Sequence, residues 1–361
     1  MPHYEQRLSE DLQRIRAAIR DVADQVSRAL ERSVKAMRVN DRDMLYEVAL
    51  DDFEVNRAIR EIGALCHAFV ARHLPAAGHL RFISSALRLT IAIERAGDYA
   101  VTISRVVLQL ENPLGEEMAE KIISLAELSG LMLDQAVSAF LDGNVELALS
   151  TKRTGKRVER SYDEVFHALI DEQPRRPSIE LASLLTIFSK IERYSDQAKN
   201  ICDEAVFAAT GKVKSPRVFR ILFLDEKNTL LSTIAASVAW KSFPSSGVYS
   251  SAGTSPGEDR DERLEAIGAR FGLDFSRARR PTKLEELAEY PTEYHVVVAL
   301  GLPVEDVPHI PYHTILQHWD DLEDPSAVSP DEFDASVERV VRQLTHNVRE
   351  LIERLRGEQD S

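Results

Sequence analysis

Apolar residues recur at three- and four-residue spacings along nearly all of residues 5–211, which is the period of an amphipathic helix. Gly and Pro are scarce in this region and mark the turns between periodic segments. The pattern predicts a first helix ending near residue 40, a second over about 42–73, a third ending near 110, and three more over about 116–142, 145–171 and 178–210. One face of the first predicted helix is an unbroken apolar stripe: Leu8, Leu12, Ile15, Ile19, Val22, Val26, Leu30 and Val34.

The six predicted helices form two copies of a three-helix unit, and the third helix of each copy carries the same motif. Glu94-Arg95-x-x-Asp98 is repeated as Glu192-Arg193-x-x-Asp196, 98 residues further on. Residues four apart lie on one face of a helix, roughly 6 Å from each other, so each copy presents two neighbouring carboxylates. A hard cation would remove their repulsion. A simpler alternative is a solvated helix face balanced by the adjacent arginines.

The pattern changes after a linker at 212–216. Short apolar runs typical of strands, at 218–224, 247–251, 294–300 and 313–317, are separated by helical patterns. The helical patterns cover about 229–240, 260–271 and 331–355. This alternation predicts an α/β layer with a parallel sheet. The predicted fold is therefore multi-domain: all-α tandem three-helix bundles over 1–112 and 113–212, followed by a small α/β parallel-sheet domain over 217–361.

Net charge, cysteine content and the distribution of apolar residues limit which kinds of partner and which cellular compartment are expected. The 361 residues carry a net charge of -14, which disfavours binding to nucleic acid and to anionic lipid. Two cysteines cannot form a disulfide framework, so a reducing cytosol is expected. The N-terminus has no signal-peptide pattern, and no apolar run approaches the roughly 20 residues of a membrane span. The sequence predicts a soluble, cytoplasmic protein with no membrane span.

The helical repeat resembles the PhoU family of phosphate-uptake and phosphate-signalling regulators. The similar stretches cover 71–82, 94–101, 192–201 and 205–211, within a resemblance that spans roughly residues 1–215. The resemblance implies two helical bundles with multinuclear metal sites on one face, held by Glu/Asp-x-x-x-Asp carboxylates. The metal cannot be named from the sequence, since carboxylate ligands suit Mg, Mn or Fe.

Carried over residue by residue, the resemblance gives a set of candidate metal ligands: Glu94, Asp98, Glu192, Asp196, Asp52 and Asn200. The second predicted helix also offers Asp51 and Asn56. Its counterpart in the second repeat, Thr154-Gly155-Lys156-Arg157, is basic, so the second metal site is expected to be short of ligands or empty. Thr102 and His79 depart from the family pattern, where Asn and Asp are usual.

The predicted α/β domain resembles the low-molecular-weight tyrosine phosphatase and arsenate reductase family over about 217–356. The first strand leads into Asp225-Glu226-Lys227-Asn228-Thr229-Leu230-Leu231-Ser232, which aligns with that family's phosphate loop. Ser251-Ala252-Gly253-Thr254 matches the end of its second strand, and Asp324-Pro325 matches the region that carries its general acid.

The residues that perform that family's chemistry are replaced. The nucleophilic Cys position holds Asp225, and the oxyanion-binding Arg position holds Leu231, while Asn228, Ser232 and Asp324 remain. Without a thiolate and an arginine the loop is expected to be catalytically inactive. The Asp225 carboxylate itself would then occupy the anion-binding turn at the helix N-terminus. An aspartyl-phosphate route through Asp225 is the alternative.

The leading hypothesis is a non-enzymatic regulator of phosphate uptake that docks on partner proteins. By resemblance, the partners are the phosphate-specific ABC transporter and a phosphate-responsive histidine kinase, and the sequence leaves open whether the chain forms a homodimer. The rival hypothesis is a phosphatase or arsenate reductase with residual activity, regulated by the helical half. A third is a metal-storage or di-metal redox bundle, which would need His ligands near the carboxylates.

Overall fold

The structure, a computed structural model, describes residues 2–110, 114–171, 177–212, 218–278, 280–287, 294–307, 310 and 314–356. The chain divides into two compact units, residues 1–214 and 215–361, which are called the helical unit and the α/β unit. The border predicted between the two helical repeats, at 112/113, lies outside the described residues.

The described residues of the helical unit form six helices with bounds close to those predicted from the apolar period: α1 Pro2–Val39, α2 Arg42–His73, α3 Ala77–Val107, α4 Glu116–Asp142, α5 Val145–Asp171 and α6 Ser178–Thr210. Polar side chains define where the second helix of each repeat begins. Oδ1 of Asp41 accepts the backbone N–H of Met44 at 3.0 Å, and Oδ1 of Asn144 accepts that of Leu147 at 3.0 Å. Both are N-cap contacts, which satisfy a helix N–H that has no intrahelical partner.

The two repeats share one hydrophobic core. Helices α1, α2 and α3 pack together, as do α4, α5 and α6, but α3 also packs along α6 and α1 along α4. Phe82 stacks on Phe140 with ring centroids 5.0 Å apart, and Arg88 pairs with Glu204 at 2.7 Å across the α3–α6 contact. The tandem bundles predicted from sequence are confirmed, and the structure adds that they are fused through their third helices, which carry the repeated motif.

Helix α4 is the one helix among the described residues that is long and apolar enough to cross a membrane by length and composition. Half of its most apolar window is buried inside the helical unit, where α4 packs against α1, α5 and α6. Core helices of globular proteins have this same character.

In the part of the α/β unit that the structure describes, four strands form a fully parallel sheet in the order β2-β1-β3-β4. Its elements are β1 Phe219–Asp225, α7 Leu231–Ser242, β2 Gly247–Gly253, α8 Leu264–Phe271, β3 Val296–Leu300, β4 Ile315–Trp319 and α9 Phe333–Arg356, with short 3-10 turns at Leu284–Glu286, Val304–Asp306 and Pro325–Ala327. Strand β1 is buried on both faces. Ile221 and Phe223 pack in one core, while Leu222 and Leu224 pack in a second core on the opposite face.

The predicted α/β parallel-sheet domain is confirmed, but one helix begins later than predicted. The pattern placed its start at residue 260, whereas α8 begins at Leu264. The preceding residues are held in a turn, because Asp261 accepts the backbone N–H of Arg263 at 2.9 Å and its own N–H donates to the carbonyl of Thr229.

Candidate functional site

In the first repeat, three of the candidate ligands form one acidic group, which we call the first-repeat cluster: Asp52 on α2 with Glu94 and Asp98 on α3. Glycine at position 97 keeps α2 and α3 close here, since a Cβ on Gly97 would lie 3.4 Å from Val26 and 3.8 Å from Oδ1 of Asp52. Asn56 donates its amide to Oδ2 of Asp52 at 2.9 Å. The carboxylates predicted on separate helices therefore face one another.

Burial and mutual repulsion disfavour the ionised forms of the carboxyl groups in the first-repeat cluster. Burial, followed by the charge of Asp98, raises the pKa of Asp52, and Arg105 and the Asn56 hydrogen bond only partly oppose this. Burial, then Asp98 and Asp52, raise the pKa of Glu94 against the opposing charge of Arg95. A cation that stabilised the ionised forms would lower both pKa values.

The oxygen donors of the first-repeat cluster are of the type that hard cations prefer. Among the described residues, however, no three His, Cys, Asp or Glu side chains stand close enough together to hold a metal ion. Two other candidates lie elsewhere: Asp51 pairs with Arg32 at 2.5 Å, and His79 is exposed. Metal binding by Asp52, Glu94 and Asp98 thus requires their carboxylates to converge further, which mutual repulsion opposes until a cation lies between them.

In the second repeat, a lysine lies among the carboxylates. The Nζ atom of Lys199 is 2.6 Å from Oδ1 of Asp196 and also contacts Oε1 of Glu159 on α5. Its positive charge also acts on Glu192, one helical turn before Asp196. The Lys199 side chain is 18% exposed, so this is a largely buried ammonium group. We call these four residues the second-repeat cluster.

Burial, followed by the charge of Asp196, raises the pKa of Glu192 to about 7, with Arg193 and Lys199 opposing the shift. For Lys199, burial lowers the pKa, but hydrogen bonds and charges from Asp196 and Glu159 outweigh it and leave the pKa above its ordinary value. Lys199 is therefore a permanent cation at neutral pH. Asn200 makes a different contact, since its amide nitrogen donates to Oε1 of Gln197 at 3.3 Å.

The basic residues noted in the sequence of this repeat, Lys156 and Arg157, are exposed, and the largely buried cation is Lys199 on α6. Lys199 and Glu159 were missed as members of the cluster. A usable signal existed, because the 98-residue offset of the motif places Lys199 where the first repeat has the buried Val101.

In the α/β unit, the loop between β1 and α7 closes around the protein's own carboxylate. Oδ1 of Asp225 accepts the backbone N–H of Asn228 at 2.5 Å, and Oδ2 accepts that of Ser232 at 2.8 Å. Asp225 is only 8% exposed. Burial raises its pKa, the hydrogen bonds from Ser232 and Asn228 oppose that shift, and the charge of Asp324 adds to it.

The loop is fixed from both sides. Asn228 adopts a left-handed backbone conformation with φ of 52°, its amide donates to Oγ of Ser232 at 2.8 Å, and its Oδ1 accepts the N–H of Thr282 at 2.8 Å. The loop carbonyls of Asp225, Glu226, Lys227 and Thr229 accept backbone N–H groups from Thr254, Ser255, Gly257 and Asp261. A Cβ on Gly253 would lie 2.8 Å from the carbonyl oxygen of Glu226, so only glycine permits this close approach.

Two further predicted positions in this unit are Leu231, which replaces the expected oxyanion-binding arginine, and Asp324, the expected general acid. Leu231 is the first residue of α7, is 4% exposed, and packs in the core of the unit. Asp324 is exposed, and its Oδ1 caps the turn at Pro325–Ala327 by accepting the N–H of Ser326 at 2.8 Å. Its charge reaches both Asp225 and Arg263. Arg263, which sequence reasoning missed, is held by Asp261, with Nε 2.8 Å from Oδ1.

Comparison with known proteins identifies the helical unit. The PhoU domain family matches residues 19–107 and again 122–205. A phosphate-specific transport system accessory protein PhoU homolog of Pseudomonas aeruginosa is 28% identical over 216 residues, covering 58% of this chain and 88% of that relative. The crystal structure of PhoU from the same organism is similar with a TM-score of 0.52 and 27% identity, covering 56% of this chain and 99% of that one.

The α/β unit has structural neighbours of another kind. A structure described as an arsenate reductase in the phosphate binding state is 23% identical, covers 38% of this chain and 99% of that chain, and has a TM-score of 0.31. A likeness of this degree carries no argument about chemistry. The interpretation of the loop around Asp225 therefore depends on its own contacts.

Proposed function

Because the helical unit of this chain belongs to the PhoU family, we propose that the protein is a cytoplasmic regulator of phosphate uptake and phosphate-starvation signalling. The observation that carries the proposal is the doubled match to the PhoU domain, over both three-helix repeats. Relatives are named as accessory proteins of the phosphate-specific transport system. The partners would be the phosphate-specific ABC transporter and a phosphate-responsive histidine kinase, bound through the helical unit, and a homodimer is a further assembly to test.

The experiment that tests this proposal is a direct binding assay. Purified full-length chain is mixed with the ATPase subunit of the host's phosphate transporter and, separately, with the cytoplasmic part of its phosphate-responsive kinase. Binding to either, by pull-down and by light scattering, is the expected result, and the same light scattering reports the oligomeric state. No binding to either component at micromolar concentrations would count against a docking regulator.

We propose that the helical unit also holds a divalent metal, Mg, Mn or Fe, at the first-repeat cluster. Asp52, Glu94 and Asp98 supply anionic oxygen donors, and the amide nitrogen of Asn56 donates a hydrogen bond to Asp52 beside them. When bound, one divalent cation would offset two of the three negative charges of these mutually repelling carboxylates. Glu94→Gln with Asp98→Asn should lower the metal content measured by mass spectrometry while circular dichroism shows unchanged helicity. Unchanged metal content would remove this part of the proposal.

We propose that the α/β unit is not an enzyme. Its loop binds Asp225 where an oxyanion would otherwise lie, and the position expected for an oxyanion-binding arginine is the buried Leu231. A carboxylate in that place repels phosphate and arsenate. The rival function, a phosphatase or arsenate reductase with residual activity, predicts turnover of p-nitrophenyl phosphate or arsenate. No turnover is expected, and turnover abolished by Asp225→Asn would establish the rival.

A further inference from the structure

The two repeats differ at corresponding positions, which the helix caps identify. Asp41 caps α2 and Asn144 precedes α5, each accepting the N–H three residues further on. Aligning these caps shifts α2 onto α5 by 103 residues, so Gly155 corresponds to Asp52 and Glu159 to Asn56. The 98-residue offset of the third helices makes Lys199 the counterpart of Val101.

The residue pair Asp52 and Val101 of the first repeat is replaced by Gly155 and Lys199 in the second, and the missing side chain at Gly155 makes room for the lysine. A Cβ on Gly155 would lie 2.7 Å from Cδ of Lys199, so any side chain at 155 would push the lysine out of its present position. In the first repeat the reverse holds: Asp52 has a carboxylate, and Val101 is an apolar residue only 5% exposed. At this pair of positions the first repeat therefore has a carboxylate and an apolar residue, while the second has a glycine, with no side chain, and a lysine.

The two clusters therefore differ in whether a cation lies among their carboxylates. The first-repeat cluster sums to three negative charges when ionised, and its nearest cations, Arg95 and Arg105, only partly offset them. The second-repeat cluster also has three carboxylates, but the Lys199 ammonium lies 2.6 Å from Asp196 and contacts Glu159 directly. An ammonium donates three N–H groups and occupies the space between the carboxylates.

We propose that the Lys199 ammonium occupies the cation position of the second repeat, so that this repeat is closed to metal while the first remains open. The inference rests on the proposed metal site of the first repeat. Metal would then bind in one bundle only, with a covalently attached cation in the other. Two ions of like charge cannot share one such position, since their repulsion in a largely buried site exceeds that in water several-fold.

The test isolates the second repeat. In full-length protein carrying Glu94→Gln and Asp98→Asn, the further pair Gly155→Asp and Lys199→Val places the first-repeat residues, Asp and Val, at these two positions. With Mn²⁺ as the probe, this variant should gain bound metal relative to the Glu94→Gln/Asp98→Asn protein, measured by equilibrium dialysis and electron paramagnetic resonance. Lys199→Met, which keeps the side-chain length, is a milder second variant and should gain part of that binding.

The reciprocal exchange is the matched control. Asp52→Gly with Val101→Lys in the otherwise native chain should close the first repeat and abolish Mn²⁺ binding, although Glu94 and Asp98 are intact. A folded Gly155→Asp/Lys199→Val variant that gains no Mn²⁺ would overturn the inference, as would native protein whose Mn²⁺ binding is lost on Glu192→Gln/Asp196→Asn. Native protein that binds no Mn²⁺ would overturn the first-repeat site, whereas a gain in the Gly155→Asp/Lys199→Val variant would still support Lys199 as the group that closes the second repeat.

Discussion

At the scale of single residues, each unit has one largely buried charged side chain at its candidate site: the cation Lys199 in the helical unit and the acidic Asp225 in the α/β unit. Lys199 neutralises carboxylates from inside the second repeat, and Asp225 satisfies backbone N–H donors from inside the α/β loop. We propose that in both places a side chain takes the position that an external ion of the same sign would otherwise take. Removing either group should therefore expose a site for that ion.

Asp225→Ala should leave the N–H groups of Asn228 and Ser232 without their acceptor. A buried donor without a partner costs about 1–3 kcal/mol, so the melting temperature of the α/β unit should fall. Millimolar inorganic phosphate should restore part of the loss in this variant and leave the native protein unchanged, as measured by thermal melting. Asp225→Asn, which nearly fills the same volume, is the matched control. Equal effects of phosphate on the melting temperature of native protein and Asp225→Ala would contradict a loop occupied by its own Asp225 carboxylate.

Glu192 should make stability depend on pH. Its pKa rises from 4.5 to about 7 in the folded chain, so between these values the folded state holds a proton that the unfolded state has lost. This contribution is fully present below pH 4.5, declines as pH rises towards 7, and is gone above it. Glu192→Gln should flatten that decline in denaturant unfolding measured from pH 5 to 8, whereas Glu127→Gln, at an exposed position of α4, should leave it in place.

At the scale of helices and strands, the spacing of apolar residues predicted nearly all element boundaries. This is because the buried face of a helix or strand determines which of its own residues are apolar. The 98-residue repeat of Glu94 and Asp98 likewise predicted one carboxylate pair on each third helix. Contacts between helices are not recorded in this way. The packing of α3 on α6, and the insertion of Lys199 beside Gly155, depend on how separate helices meet.

The loop in the α/β unit illustrates the same limit. Its sequence predicted that Asp225 replaces a nucleophile and occupies the turn, because a carboxylate at a helix N-terminus is favourable. The role of Asn228 in tying the loop to Thr282 depends on a residue 54 positions away, which no local pattern reveals. Arg263 near Asp324 was missed for the same reason.

The close packing of β2 against this loop gives a prediction at the element scale. Gly253→Ala places a Cβ 2.8 Å from the carbonyl oxygen of Glu226, so the loop or the strand must shift. We expect a loss of about 1–3 kcal/mol in the free energy of unfolding of the α/β unit, typical of overpacking. Gly63→Ala in α2, where no atom lies within 4 Å of the added Cβ, is the control and should be neutral or stabilising. An unchanged α/β unit in Gly253→Ala would contradict the tight loop.

At the scale of the whole molecule, the chain joins a PhoU-family helical unit to a small parallel-sheet unit. The helical unit is expected to carry regulation by docking, with metal at one repeat and a lysine at the other. The α/β unit is expected to contribute no turnover, so any effect of phosphate on the whole chain should come through partners and not through catalysis.

The most direct measurement of this account is the output of a phosphate-starvation reporter in the host, grown in abundant phosphate, with and without the gene. Deletion should derange the reporter and phosphate uptake, and plasmid-borne native protein should restore both. The Asp225→Asn variant should restore them equally well if the protein acts by docking and not by catalysis at its loop. Normal reporter output and normal uptake in the deletion strain would contradict the proposal that this protein regulates phosphate acquisition.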